Sequence, residues 1–149
     1  MKQWVPVVAA VAVVGAFSTA VLAQSADRAI KYRQGVMSAM GWHLGILGGM
    51  AKGSRPYDKE QATKSAQYIH ALSDMPWEGY IPGSHTGAPT KAKQEIWAEP
   101  AKFDKYGQAL RTESSKLASA AGNGVDGLRS AIGPVVRACD GCHDDFRSK

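Results

Sequence analysis

Apolar positions recur along most of this chain at spacings of three and four, the period of a helix that buries one face. Between Ala26 and Lys52 the stripe is Ile30, Arg33, Met37, Met40, Leu44, Leu47 and Ala51, with Ser25 as its N-cap and Gly53 closing it ahead of Pro56. A second segment opens at the cap Asp58 and turns Ala62, Ala66, Ile69 and Leu72 inward before Met75-Pro76-Trp77 ends it. From Pro76 to Ala98 the pattern dissolves into turn signals, Pro82-Gly83-Ser84 and Thr86-Gly87-Ala88-Pro89. One long irregular connection is expected there, with His85 solvated inside it. Pro100 suits the first position of a third helix that points Phe103, Tyr106, Leu110 and Leu117 inward and stops at Gly122-Asn123-Gly124. The last helix takes Asp126 as cap and keeps Leu128, Ile132, Val136, Cys139, Cys142, His143 and Phe146 on one face. Gly133-Pro134 is expected to kink or break it about one turn before the cysteines. Four helices with short links and one crossover predict an all-α, antiparallel four-helix bundle, whose cofactor sites are built in the core from facing helices.

The amino end departs from this pattern. Met1-Lys2-Gln3-Trp4 is a basic start, Val5 to Leu22 is apolar, and Val21-Leu22-Ala23 places small residues where a leader is cut. The expectation is a signal peptide over 1–23, cleaved before Gln24, and one domain over 24–149 with no stable membrane anchor. A retained anchor is the competing reading, because the apolar stretch approaches spanning length. Loss of Lys2 would lower the formal charge from +5 to +4. That excess is spread along the chain with no basic run interleaved with aromatics, so binding to nucleic acid is not expected.

The chemistry is concentrated in Cys139-Asp140-Gly141-Cys142-His143. On a helix these three functional residues share a face, so two thiols can add to the vinyl groups of a porphyrin while the imidazole reaches its iron. A C-x-x-C-H motif is the pattern of c-type haem attachment. Zinc would want about four ligands, and the chain has no other cysteine and only three other histidines. A redox pair should follow a strand, and a disulfide is awkward across so short a helical span. Covalent haem attachment requires an export-side assembly system in bacteria, which agrees with a leader and places the protein in the periplasm. The seam residue Arg33 calls for an anion, with a haem propionate as candidate, or for an edge position from which it snorkels to water. Gly41, Gly45 and Gly49 lie four apart and would let another helix or subunit approach closely.

With these features together, the chain resembles the class II cytochromes c, the cytochrome c′ family. The resemblance spans essentially the whole of 24–149: Lys31-Tyr32-Arg33-Gln34, Pro76-Trp77, Glu95-Ile96-Trp97 and the run Cys139 to Arg147. The carboxy-terminal position of the motif separates this family from ordinary cytochromes c. It implies one haem c held by Cys139 and Cys142 through two thioethers, His143 as proximal iron ligand, and Arg33 and Arg147 near the propionates or the proximal face. Four residues after the arginine the family places Leu, another bulky group or Met, and here Met37 stands there. The resulting expectation is a low-spin electron carrier with His143 and Met37 on the iron, Met40 in reserve and His43 off the centre of the stripe. Asp144-Asp145-Phe146-Arg147 is similar to the low-spin members. The alternative is that Met37 packs over an open iron that binds nitric oxide or carbon monoxide. No acid–base pair points to an enzyme. The expected partners are periplasmic redox proteins, and the family includes homodimers built on the first two helices.

Overall fold

The computed structural model describes residues 11–149, with side chains from Ser25 onward. Helix α1 (Val11–Lys52) contains Ser25 instead of being capped by it, because no proline interrupts helical bonding between Val11 and Ala26. Residues 1–10, the basic start of the expected leader, lie outside the described residues. Among the described residues no helix is long and apolar enough to cross a membrane. Gly53 ends α1 at φ +79°, its N–H donated to the Met50 carbonyl, a left-handed step that a Cβ would strain.

Helix α2 (Lys59–Leu72) starts as expected, with the Asp58 carboxylate accepting from the Gln61 N–H at 2.8 Å. The crossover then forms a 3-10 turn (Pro76–Gly79) and the single turn α3 (Glu95–Ala98) before α4 (Pro100–Ala120) and α5 (Gly124–Phe146). Asp126 is not the cap of α5. It lies in the first turn, where its charge favours the positive end of the helix and pairs with Arg129. Pro134 does not break α5, which continues to Phe146. Leu128, Ile132 and Val135, all buried on the bundle core, hold the helix together across the missing N–H. Val135, and not the expected Val136, faces inward, so the steps from Ile132 to Cys139 are three and four instead of four and three.

Helix α1 packs on α2 and α5, and α4 packs on the same two, so the four long helices close an antiparallel ring. Val36, Met40, Leu47, Ile69, Leu110, Leu117 and Leu128 lead its core. The inward face of α1 is broader than one stripe: Val36 and Met50 are buried although they lie off it, and Met37 and Leu44 are half-buried. The 3-10 turn adds a third neighbour for α1 near Ala29 and Arg33. A second cluster, Ile96, Phe103 and Phe146 with Trp77, Tyr80, Trp97 and Tyr106 against it, closes one end.

The crossover is tied down at both ends. Trp77 donates Nε1–H to the Ser73 carbonyl at 2.7 Å, and a Cβ on Gly79 would sit 2.8 Å from the Ala29 carbonyl oxygen, so the 3-10 turn lies directly on α1. Further along, the Lys93 N–H donates to the Phe146 carbonyl and the Ser148 N–H to the Lys91 carbonyl, an antiparallel bridge between crossover and carboxy terminus. His85 is half-buried against Trp97, with ring centroids 5.4 Å apart, and is not the solvated residue expected from the sequence.

Candidate functional site

A cleft of about 700 Å³ opens between α1, the crossover, α4 and the end of α5. That volume lies in the range of sites that enclose a small molecule or cofactor, about 300–1,000 Å³. Cys142, His143, Phe146 and Arg147 line it from α5, Met37 and Arg33 from α1, and Tyr80, Thr90 and Ile96 from the crossover. A smaller hollow of about 110 Å³ adjoins it, bordered by Met37, Met40, Leu44, Trp77, Leu110 and Cys139. Met37, Cys142 and His143 border both spaces. The expected donor set is thereby brought together, with α1 facing α5.

The donor chemistry fits a haem better than it fits the alternatives. Both thiols are free and half-buried. Burial, with Asp140 beside it, raises the Cys139 pKa, and burial with the neighbouring Cys139 and Asp145 pushes Cys142 up to about 11. Reactive redox cysteines are held as thiolates by a lowered pKa, which is the reverse of what this site does. Among the described residues no group of three His, Cys, Asp or Glu side chains could hold a metal ion, so zinc has no site. Desolvation against the cleft wall, and then the Arg147 charge, lower the His143 pKa against the opposing pull of Asp140 and Asp144. That lowering favours the neutral imidazole, which keeps a nitrogen lone pair for a metal.

Neighbours hold this end of α5 in place. Tyr106 donates its hydroxyl to Asp145 Oδ2 at 2.7 Å, Lys102 pairs with the same oxygen at 2.9 Å, and together they hold the Asp145 carboxyl below its ordinary range. Gly141, inside the motif, makes room for that tyrosine: an added Cβ would lie 3.0 Å from Tyr106 Cε1.

Arg33 lines the cleft as expected, but its charge is solvated by the chain itself. It is 3% exposed. Nη1 donates to the Gly79 carbonyl and to Ser84 Oγ, both at 2.7 Å, while Nη2 donates to the Ser84 carbonyl at 2.7 Å and Thr90 Oγ1 at 3.1 Å. The guanidinium also lies 4.6 Å over the Tyr80 ring. This is a staple between α1 and the crossover, not a side chain snorkelling to water. Arg147 is exposed on the cleft rim. Met40 is buried and borders only the smaller hollow, and His43 turns to α2, with Nδ1 3.3 Å from Ser65 Oγ and its ring against Tyr68. Tyr80, Thr90 and Lys91 are cleft residues that sequence reasoning missed, since a turn-rich segment has no period to mark its inward positions.

A profile of the family described as Cytochrome C′ matches residues 28–147. The chain is 38% identical over 124 residues to the cytochrome c′ of Alcaligenes xylosoxydans xylosoxydans, covering 83% of this chain and 95% of that protein. Among solved structures, cytochrome c′ from Shewanella frigidimarina superposes with a TM-score of 0.80 at 32% identity, covering 83% of this chain and 97% of that one. A nitric oxide complex of a mutant cytochrome c′ from Alcaligenes xylosoxidans gives a TM-score of 0.76 at 35% identity, covering 83% and 96%.

The Arg33 staple carries a stability prediction. Arg33→Leu removes the four hydrogen bonds from the guanidinium to the crossover and leaves the buried Ser84 carbonyl without its donor, which costs about 3 kcal/mol and lowers Tm by roughly 10 °C in a domain of this size. Thermal unfolding with limited proteolysis checks it, the crossover being cut first. An unchanged Tm would mean that Arg33 serves a bound anion and not the fold.

Proposed function

Because the chain belongs to the cytochrome c′ family, which binds a single covalently attached haem c, we propose that it is a periplasmic haem protein that takes up nitric oxide or carbon monoxide on an open distal side. When bound, haem supplies an iron that changes oxidation state and accepts a diatomic ligand. In this reading Cys139 and Cys142 hold it through thioethers, and His143 offers its neutral nitrogen from α5. Met37 faces it from α1. Arg147 stands on the rim, where its charge suits a propionate. The apolar stretch before Gln24 supports export.

The observation that carries the open distal side is the smaller hollow. Met40, Leu44, Trp77 and Leu110 border it with largely apolar side chains, so the space beside Met37 suits a neutral diatomic molecule. The nitric oxide complex of a structural neighbour supports the same reading. A second reading, the low-spin electron carrier, rests on one geometric fact: Met37 borders the same spaces as His143 from the opposite helix. In either case periplasmic redox proteins would be the partners. We also infer a homodimer on the α1–α2 face, where Trp42 is 72% exposed and Gly41 and Gly45 leave room for a close partner.

Haem should survive denaturation of the wild type and be lost from a variant with Cys139→Ala and Cys142→Ala, as followed by mass spectrometry. In stopped-flow mixing, the reduced wild type should bind carbon monoxide promptly, and Met37→Ala should change the rate less than about tenfold, below 1.4 kcal/mol in barrier. Slow uptake that Met37→Ala accelerates by orders of magnitude would establish ligation by Met37 instead. Sedimentation should show a dimer that Trp42→Glu dissociates; a monomeric wild type would remove the homodimer.

A further inference from the structure

An α-helix leaves its last carbonyls without donors of its own, and the last four residues of α5 are His143 to Phe146, the turn that carries the expected iron ligand. The His143 carbonyl accepts from the Arg147 N–H at 3.1 Å. The other three are taken by one residue of the crossover. Lys93 donates Nζ to the Asp145 carbonyl at 2.9 Å and to the Asp144 carbonyl at 3.2 Å, and its N–H to the Phe146 carbonyl at 3.0 Å.

Lys93 is held where it can do this. Its neighbour Ala92 donates its N–H to Thr90 Oγ1, which also accepts from Arg33, and pairs with Arg147 in the antiparallel bridge. The ammonium is not drawn off by the Asp145 carboxylate, whose Oδ2 is occupied by Tyr106 and Lys102. Lys93 is half-buried, and a charge so placed is screened less than one on open surface. A cation at a helix carboxy terminus opposes the partial negative charge that the aligned peptide dipoles collect there.

We propose that Lys93 is a positioning residue for His143: it closes the turn that presents the imidazole and, by setting its charge at that helix end, raises the affinity of a His143-bound iron for an electron. The inference rests on the haem reading, with His143 on the iron, and is independent of whether Met37 ligates. Uncovered carbonyls in the turn of the ligand favour ferric iron, which carries the extra positive charge. The ammonium opposes them and so favours ferrous iron.

Lys93→Met keeps the stem and the backbone N–H and removes the charge and both Nζ bonds. In the holoprotein, spectroelectrochemical titration should find the reduced state about fivefold less favoured, the effect of a charge at a helix end, or about 40 mV lower at about 59 mV per tenfold change. Hydrogen exchange at residues 143–147 should quicken. Lys93→Arg, which keeps charge and donors, should stay near the wild type in both. An unchanged potential in Lys93→Met overturns the proposal even where exchange quickens, since that is how a cap without influence on the iron behaves. Equal losses of potential in the Met and Arg variants overturn it too, by tracing the effect to packing. Should the Met variant not accumulate, Lys93→Gln, a neutral donor, is measured in its place with the same expectation. A wild-type chain that carries no covalent haem by mass spectrometry removes the haem reading and the proposal with it, whereas an unchanged potential in a haem-bearing variant removes the proposal alone.

Discussion

A guanidinium on the apolar face of a helix has to be solvated by the protein, and Arg33 is solvated by the crossover. Two carbonyls and two hydroxyls from residues 79–90 take up both of its Nη groups. A buried cation left unpaired would cost several kcal/mol, so the irregular segment is held against α1 by a demand that starts on α1. The site follows from that contact. With the crossover in place, Tyr80, Thr90, Lys91 and Ile96 wall the cleft that Cys142 and His143 line from α5.

The same economy of contacts fixes α5. Its cysteines and histidine share a face by helical spacing alone, but they meet the cleft because Val135, Ile132 and Leu128 seat the helix on the bundle and the Tyr106–Asp145–Lys102 cluster fastens its end. Burial that raises the pKa of both thiols is unsuited to disulfide exchange, and the lowered pKa of His143 favours its neutral form. That form leaves a lone pair free for a metal, with two sulfurs facing an apolar space.

Much of this was legible in the residues. The three-four stripes located four long helices, Asp58 and Pro100 marked two of their starts, and C-x-x-C-H at positions 139–143 named the attachment face. What could not be read has physical causes. Pro134 was expected to kink or break α5, and packing on both sides of it keeps the helix unbroken. Arg33 was assigned to a propionate or to solvent because its acceptors, Gly79, Ser84 and Thr90, lie about fifty residues away in a segment without periodicity. Tyr80 went unnoticed for the same reason. Met37 was correctly set on the inward face of α1, while the choice between packing and ligation depends on how closely sulfur approaches iron, which no spacing rule encodes.

That approach is also where the account is most exposed. Electron paramagnetic resonance of the oxidised holoprotein at neutral pH reads the spin state, and so whether a second strong axial ligand is present. With Met37 packed over an open distal side, the spectrum is that of high-spin ferric haem with His143 as its single axial ligand. A low-spin spectrum, accompanied by a thioether-to-iron charge-transfer band in the far red, would contradict the account and return Met37 to the iron.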